Sequence, residues 1–172
     1  REKQCIKRYD LFLMRLLLLH LSDIHLKVKH NPILARLPKI RDALRNLDHE
    51  ITSCVLVISG DIAYSGQVEE YQIALQFIED LRQQLKESLP RIDKVRLVMI
   101  PGNHDCYIPD DKKHDDFRNS MIDAVTKDIS KASNQRIVET CVEPLQHFFG
   151  FLRNSFDGEL PLEDNKIFYR YE

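Results

Sequence analysis

The sequence has no two cysteines at the close spacing of a zinc knuckle or a redox pair; Cys5, Cys54, Cys106 and Cys141 are scattered along 172 residues. That excludes a disulfide scaffold and leads us to expect free thiols in a reducing, cytoplasmic setting. Neither sign of charge is in excess. With 25 Lys and Arg against 27 Asp and Glu, the formal net charge of −2 gives no reason to expect nucleic acid or a membrane surface as partner. A local basic patch can still hide in a neutral total. No apolar stretch approaches the ~20 residues of a membrane-spanning helix, and there is no internal repeat or low-complexity tract. The start, basic over residues 1–8 and apolar over 11–21, has the outline of a signal peptide. Arg15 interrupts it and no small-residue cleavage site follows, so it is read as the lead into a first strand.

What the chain does have is three short apolar runs, each closed by polar residues. Leu16-Leu17-Leu18-Leu19-His20-Leu21 leads into Ser22-Asp23-Ile24-His25, and Cys54-Val55-Leu56-Val57-Ile58 into Ser59-Gly60-Asp61. Val95, Leu97, Val98, Met99 and Ile100 lead into Pro101-Gly102-Asn103-His104-Asp105. Such runs, ended by Gly or Pro, read as strands buried on both faces of a parallel sheet. Ile40, Ala43, Leu44 and Leu47 recur at helical spacing after the first run. After the second, Val68, Tyr71, Leu75, Ile78, Leu81 and Leu85 trace a longer helix ending near Leu89-Pro90. The alternation predicts an α/β fold, a mostly parallel sheet with flanking helices. Residues 117–129 and 137–151 are predicted as helices, the second carrying Pro144, residues 109–116 and 154–164 as loops, and 166–171 as a strand. The whole, residues 1–172, reads as one domain: a core over 15–105, a helical and loop region over 106–165, and the terminal strand.

Loops beyond the carboxyl ends of parallel strands form the functional crevice, so Asp23, His25, Asp61, Asn103, His104 and Asp105 are expected to converge. Asp23 and His25, two apart in extended backbone, place both side chains on one side and can hold one face of a divalent ion. Asp61, with Gly60 permitting a tight turn, approaches the same ion and can bridge to a second, to which Asn103 offers its carbonyl oxygen. Mixed oxygen and nitrogen ligation suits Mn, Fe or Zn better than Ca. Two metals ~3.5–4 Å apart polarise a phosphoryl group and generate a hydroxide nucleophile near neutral pH. His104 is then placed to protonate the leaving oxygen, with Asp105 orienting its ring. The predicted chemistry is metal-assisted hydrolysis of a phosphoester. Among the remaining residues, His20 reads as a packed core histidine and Cys106 as a loop cysteine, with ligation or redox sensitivity as its alternatives. Lys27, Lys29, Arg36, Lys39 and Arg41 read as a solvated face able to steer an anion, and Tyr64 as a loop aromatic within reach of substrate.

Asp23-x-His25, Gly60-Asp61 and Gly102-Asn103-His104-Asp105, in that order and each after an apolar run, resemble the calcineurin-like metallophosphoesterase superfamily over residues 16–105. The resemblance implies the N-terminal half of an α/β sandwich and two divalent ions, manganese foremost. By the same resemblance Asp23, His25 and Asp61 bind the first metal, Asp61 and Asn103 the second, and His104 is the catalytic acid. Asp61 is followed by Ile62-Ala63-Tyr64-Ser65-Gly66, not by the Val-Asp-Arg-Gly of protein serine/threonine phosphatases, and Asp105 stands where those have Glu. That is similar to the phosphodiesterase-like branch, whose substrates are phosphoesters, nucleotides and nucleic acid among them. Family members complete both metal shells with an isolated His and a Gly-His-x-His from a second half. Only His114 and His147 follow His104, neither in that context, and both read as surface or packing residues. The expectation is the front part of an enzyme completed by a second half or by further domains of a larger protein. The alternatives are a non-catalytic module of a larger protein, separated by metal content, and a nuclease, separated by salt-dependent DNA binding.

Overall fold

The computed structural model describes residues 15–44, 47, 51–110, 115–156 and 158. The three apolar runs form β1 (Arg15–Leu21), β2 (Ile51–Ser59) and β3 (Val95–Ile100). They pair side by side in the order β1-β2-β3, all parallel, as an α/β fold requires. The register sets Leu21 opposite Ile58 and Ser59 opposite Ile100, so the three polar turns leave the sheet at the same end.

α1 (Leu37–Leu44) and α2 (Val68–Ser88) make the two crossovers. α1 carries Pro38 in its first turn, where the missing N–H breaks no helical bond, and buries Leu37 and Leu44. α2 buries Tyr71, Ala74, Phe77, Ile78, Leu81 and Leu85, a stripe at i, i+3, i+4 spacing that faces the sheet. Beyond β3 lie α3 (Asp116–Lys127), α4 (Gln135–Val142) and α5 (Gln146–Phe156). The single helix predicted over 137–151 is two helices. Pro144 has no N–H and its ring crowds the preceding turn, and a 3-10 turn at Glu143–Leu145 divides α4 from α5. α5 then buries Phe148, Phe149, Phe151, Leu152 and Phe156, with Phe151 stacked on Tyr71 of α2 at 5.1 Å between ring centroids.

Among the described residues only one face of the sheet is covered, which corrects the expectation of burial on both. β3 alternates, with Val95, Leu97 and Met99 buried and Arg96 and Ile100 exposed. On β1, Leu16 and Leu18 are 59% and 60% exposed. The reason is that α1 and α5 both pack against α2, making a single helical layer. His20 lies on the open face rather than in the core, its Nε2 hydrogen-bonded to Ser59 Oγ on the neighbouring strand. The predicted strand over 166–171, and His114, lie outside the described residues. No helix among the described residues is long and apolar enough to cross a membrane.

Candidate metal centre

The turns after β1 and β2 stay paired beyond the strands. Asp23 N–H donates to the Gly60 carbonyl at 3.3 Å, His25 N–H to Asp61 at 2.9 Å, Leu26 N–H to Ile62 at 2.8 Å and Tyr64 N–H to Leu26 at 3.0 Å. This pairing brings Asp23 and His25 alongside Asp61, though not by the extended geometry expected of them. Asp23, His25 and Asp61 all hold left-handed backbone, with φ of +53°, +51° and +55°, after Gly60 at +91°. A residue with a Cβ costs about 1–2 kcal/mol there. Three such residues at one end of one sheet concentrate strain at the candidate donors, where the surrounding bonds must hold it.

Asp105 supplies much of that hold. Its side chain is fully buried. Oδ2 accepts from Asp61 N–H at 2.8 Å and Gly102 N–H at 2.9 Å, and Oδ1 from Ala63 N–H at 2.9 Å. One carboxylate thereby ties the turn after β2 to the turn after β3. Burial pushes its pKa above the ordinary carboxylate value, and the backbone bonds, from Gly102 first, oppose that rise. The structure therefore gives Asp105 a different task from the one expected, because its two oxygens accept from backbone N–H groups. The ring is oriented by the Tyr64 carbonyl, 2.7 Å from His104 Nδ1. A carbonyl only accepts, so Nδ1 carries a proton and Nε2 is the nitrogen left for chemistry.

Two residues of the first turn of α2 complete the support, and sequence reasoning missed both. Glu70, buried, accepts from Ser65 N–H at 2.9 Å, Ser65 Oγ at 3.0 Å and Gln67 N–H at 3.1 Å, which fixes the loop that carries Tyr64. Tyr71 donates its hydroxyl to the Asp105 carbonyl at 3.0 Å and to Oδ1 at 3.3 Å. Burial, and then the charge of Asp105, push the phenol pKa far above its ordinary value, so it remains a donor. The available signal for Glu70 was its place three residues after Gln67, where a helix-start glutamate reaches back to backbone. Nothing in the sequence separated Tyr71 from its apolar neighbours on the same stripe. Tyr71→Phe keeps the ring and removes only the donor, so a stability loss of about 1–2 kcal/mol is expected. Urea unfolding should show a lower midpoint at unchanged slope; an unchanged midpoint would detach the hydroxyl from Asp105.

Of the six residues expected to converge, the structure groups His25, Asp61 and His104, whose ligand atoms all lie within 4.8 Å of one another. Asp23 stands at the rim, its side chain 69% exposed and Oδ1 4.0 Å from His25 Nε2. Asn103 is exposed and lines, with His104, an adjoining cavity of about 500 Å³. Asp61 Oδ1 accepts from His104 N–H at 2.8 Å and lies so close to Gly102 that a Cβ there would stand 2.2 Å away. Two features make this group suited to a divalent ion. His25 Nδ1 is buried with no hydrogen-bond partner, an uncompensated polar atom that a core without such a role would avoid. The donors are two imidazoles and a carboxylate, the set that Mn, Fe and Zn accept. Donor–metal bonds of ~2.0–2.2 Å cap donor separations at about twice that, so donors up to 4.8 Å apart must draw closer together around an ion.

Cys106 also lines the cavity, but burial and then the Asp105 charge raise its pKa and keep it a thiol, a poor ligand. Lys27, expected on a solvated face, places its Nζ 3.9 Å from the centroid of the Tyr64 ring. His147 packs, as expected, but at the site: its ring stacks on Tyr107 and its Nδ1 is 2.8 Å from the Gly66 carbonyl.

The family model for calcineurin-like phosphoesterase matches residues 16–165, which takes in the three strands except for Arg15 and every donor named above. The chain is also 25% identical over 166 residues to the uncharacterized metallophosphoesterase-like protein YydB of Bacillus subtilis (strain 168). That match covers 92% of this chain and 32% of the relative, so the chain spans about a third of the length of the curated protein it matches. No solved structure matches it. With three strand-end motifs, a histidine and aspartate cluster suited to divalent ions, and a family match over most of its length, this chain belongs to the calcineurin-like phosphoesterases.

Proposed function

We propose that the chain carries the donor half of a two-metal phosphodiesterase centre. Asp23, His25 and Asp61 take one divalent ion, manganese before iron or zinc, and Asp61 and Asn103 take the second. The observation that carries the reading is the convergence of His25, Asp61 and His104 from three separate turns to within 4.8 Å. The chemistry that ions held by these residues would supply is Lewis-acid polarisation of a phosphoryl group and acidification of water. The protein's own share of the work is placement and proton transfer. Asp105 and the left-handed turns fix where Asp61 stands, and Glu70 fixes the Tyr64 loop, whose carbonyl aims the His104 ring. With Nδ1 committed to that carbonyl, His104 takes no ion in this reading, and its Nε2 passes a proton to the departing ester oxygen. Substrates are phosphodiesters, small nucleotide esters or nucleic acid, and the remaining ligands come from a further part of a larger protein.

Hydrolysis of bis-p-nitrophenyl phosphate by the full-length protein with Mn²⁺ tests the reading. On a diester whose leaving group is an alkoxide, His104→Ala should lower kcat by about 10²–10⁴-fold, with a smaller defect on bis-p-nitrophenyl phosphate. Nitrophenolate leaves without needing a proton, so a general acid and a mere metal ligand separate on that comparison. Equal activity of wild type and variant on the alkoxide diester removes the proton-transfer role. A full-length protein that binds no metal and cleaves nothing is a non-catalytic module.

A further inference from the structure

We propose that His25, Asp61 and His104 form a site for a single zinc ion, which takes the proton donor of the reaction as a ligand and holds the centre inactive until manganese displaces it. The inhibitory consequence rests on the phosphodiester reading above; the ligand set does not. The two arrangements differ in one residue. The two-metal reading joins Asp23 to His25 and Asp61, yet Asp23 is outside the group of donors that come within 4.8 Å of one another, and His104 is inside it.

His104 is supported as a ligand is. A histidine that binds a metal through one ring nitrogen ordinarily donates the other N–H to a carboxylate or a backbone carbonyl, which fixes tautomer and ring orientation. His104 Nδ1, 2.7 Å from the Tyr64 carbonyl, has that support, and the lone pair is left on Nε2. The His25 and His104 rings lie edge to face, 4.5 Å between centroids and 78° between planes. His25 brings to the pair a buried Nδ1 with no hydrogen-bond partner. Asp61 is held in place by its bonds to His104 N–H and, through its own amide, to Asp105. Closure around an ion therefore falls to the two rings rather than to the carboxylate.

The donor set decides which metal takes this site. Two imidazoles and one carboxylate with a fourth position open make the four-coordinate set that zinc accepts. Manganese favours six ligands rich in oxygen, which Asp23 and Asn103 help to supply and this trio does not. Zinc also binds a given set of nitrogen and oxygen donors more tightly than manganese. Because His25 and Asp61 belong to both arrangements, the two exclude one another. A zinc ion on His104 Nε2 leaves that nitrogen no proton to give.

Calorimetric titration of Zn²⁺ and of Mn²⁺ into the metal-free full-length protein tests the proposal without turnover. His104→Ala should weaken zinc at least about tenfold, the low end of what losing even a group that supports a ligand costs, and leave manganese as in wild type. Asp23→Ala should do the reverse. Retained manganese binding shows that His104→Ala still folds. His104→Cys, which puts back a zinc ligand without the imidazole, should recover most of the lost zinc affinity. In cleavage of the alkoxide diester by the manganese-loaded wild type, added zinc should inhibit and excess manganese should relieve the inhibition. Zinc bound equally by wild type and His104→Ala overturns the proposal and leaves the two-metal reading standing. Loss of both metals together in His104→Ala, with no recovery of zinc in His104→Cys, overturns it as well. Manganese binding indifferent to both Asp23→Ala and Asn103→Ala removes the two-metal reading instead, while a selective zinc loss in His104→Ala still supports the zinc site.

Discussion

Replacing Asp105 with alanine should cost the fold at least about 3 kcal/mol, the largest stability effect expected of any polar residue in the chain. The carboxylate accepts backbone N–H groups of Asp61, Ala63 and Gly102 at 2.8–2.9 Å in a fully buried position. Its removal leaves the buried Ala63 N–H and the half-buried Asp61 and Gly102 N–H groups without an acceptor, and a buried orphan costs about 1–3 kcal/mol. The Tyr71 hydroxyl loses its Oδ1 contact at the same time. Against a typical total stability of about 5–15 kcal/mol, that is a large share. Water entering the vacated space offsets part of the loss, which is why the expectation is set at the low end of the sum. Asp105→Asn separates shape from hydrogen bonding: it keeps the volume, but its amide NH₂ would meet an N–H where an oxygen stood. It should therefore also destabilise, whereas a role in packing alone would leave it near wild type. Urea unfolding of the two variants reads the difference. A wild-type midpoint in both would mean that the turns after β2 and β3 hold together without this carboxylate.

The same residue marks the limit of what the sequence made legible. Three apolar runs ending in polar residues give the strands, their parallel order and the end at which the donors gather, because strand length, β-branching and turn residues are local properties. His25, Asp61 and His104 were expected together and are together. What could not be read is decided by atoms distant in sequence. Asp105 beside His104 suggested a carboxylate orienting an imidazole, but backbone donors from residues 61 and 63 claim its oxygens first. Asp23 and His25 suggested an extended pair, but the hydrogen bonds to Gly60 and Asp61 require left-handed turns at both. The apolar runs recorded two apolar faces and could not tell that, among the described residues, only one is covered, by α1, α2 and α5. Pro144 was visible inside a helical pattern, and its disruption of the helix follows from its missing N–H.

Gly102→Ala is expected to cost more in metal affinity and activity than any other single-methyl change, and the reason is steric rather than conformational. Gly102 has φ −110° and ψ −170°, extended backbone that alanine adopts freely. Its added Cβ, however, would stand 2.2 Å from Asp61 Oδ1 and 2.6 Å from Asp61 N. Neither atom can yield cheaply, since Oδ1 accepts from His104 N–H and the amide donates to Asp105. Reaching an ordinary contact of about 3.4 Å moves Asp61 by roughly 1 Å, and displacements of that size in a reacting site cost on the order of 10²-fold in rate. Overpacking adds about 1–3 kcal/mol of destabilisation. Gly150→Ala is the matching control: it lies in α5 with nothing within 4 Å of the new methyl. It should raise stability by about 0.5–1 kcal/mol and leave metal binding alone. Calorimetric titration of Mn²⁺ into both variants, alongside bis-p-nitrophenyl phosphate turnover, compares them directly. Manganese bound equally well by Gly102→Ala and by wild type would remove Asp61 from the metal site, since no placement of the methyl leaves that carboxylate where it now stands.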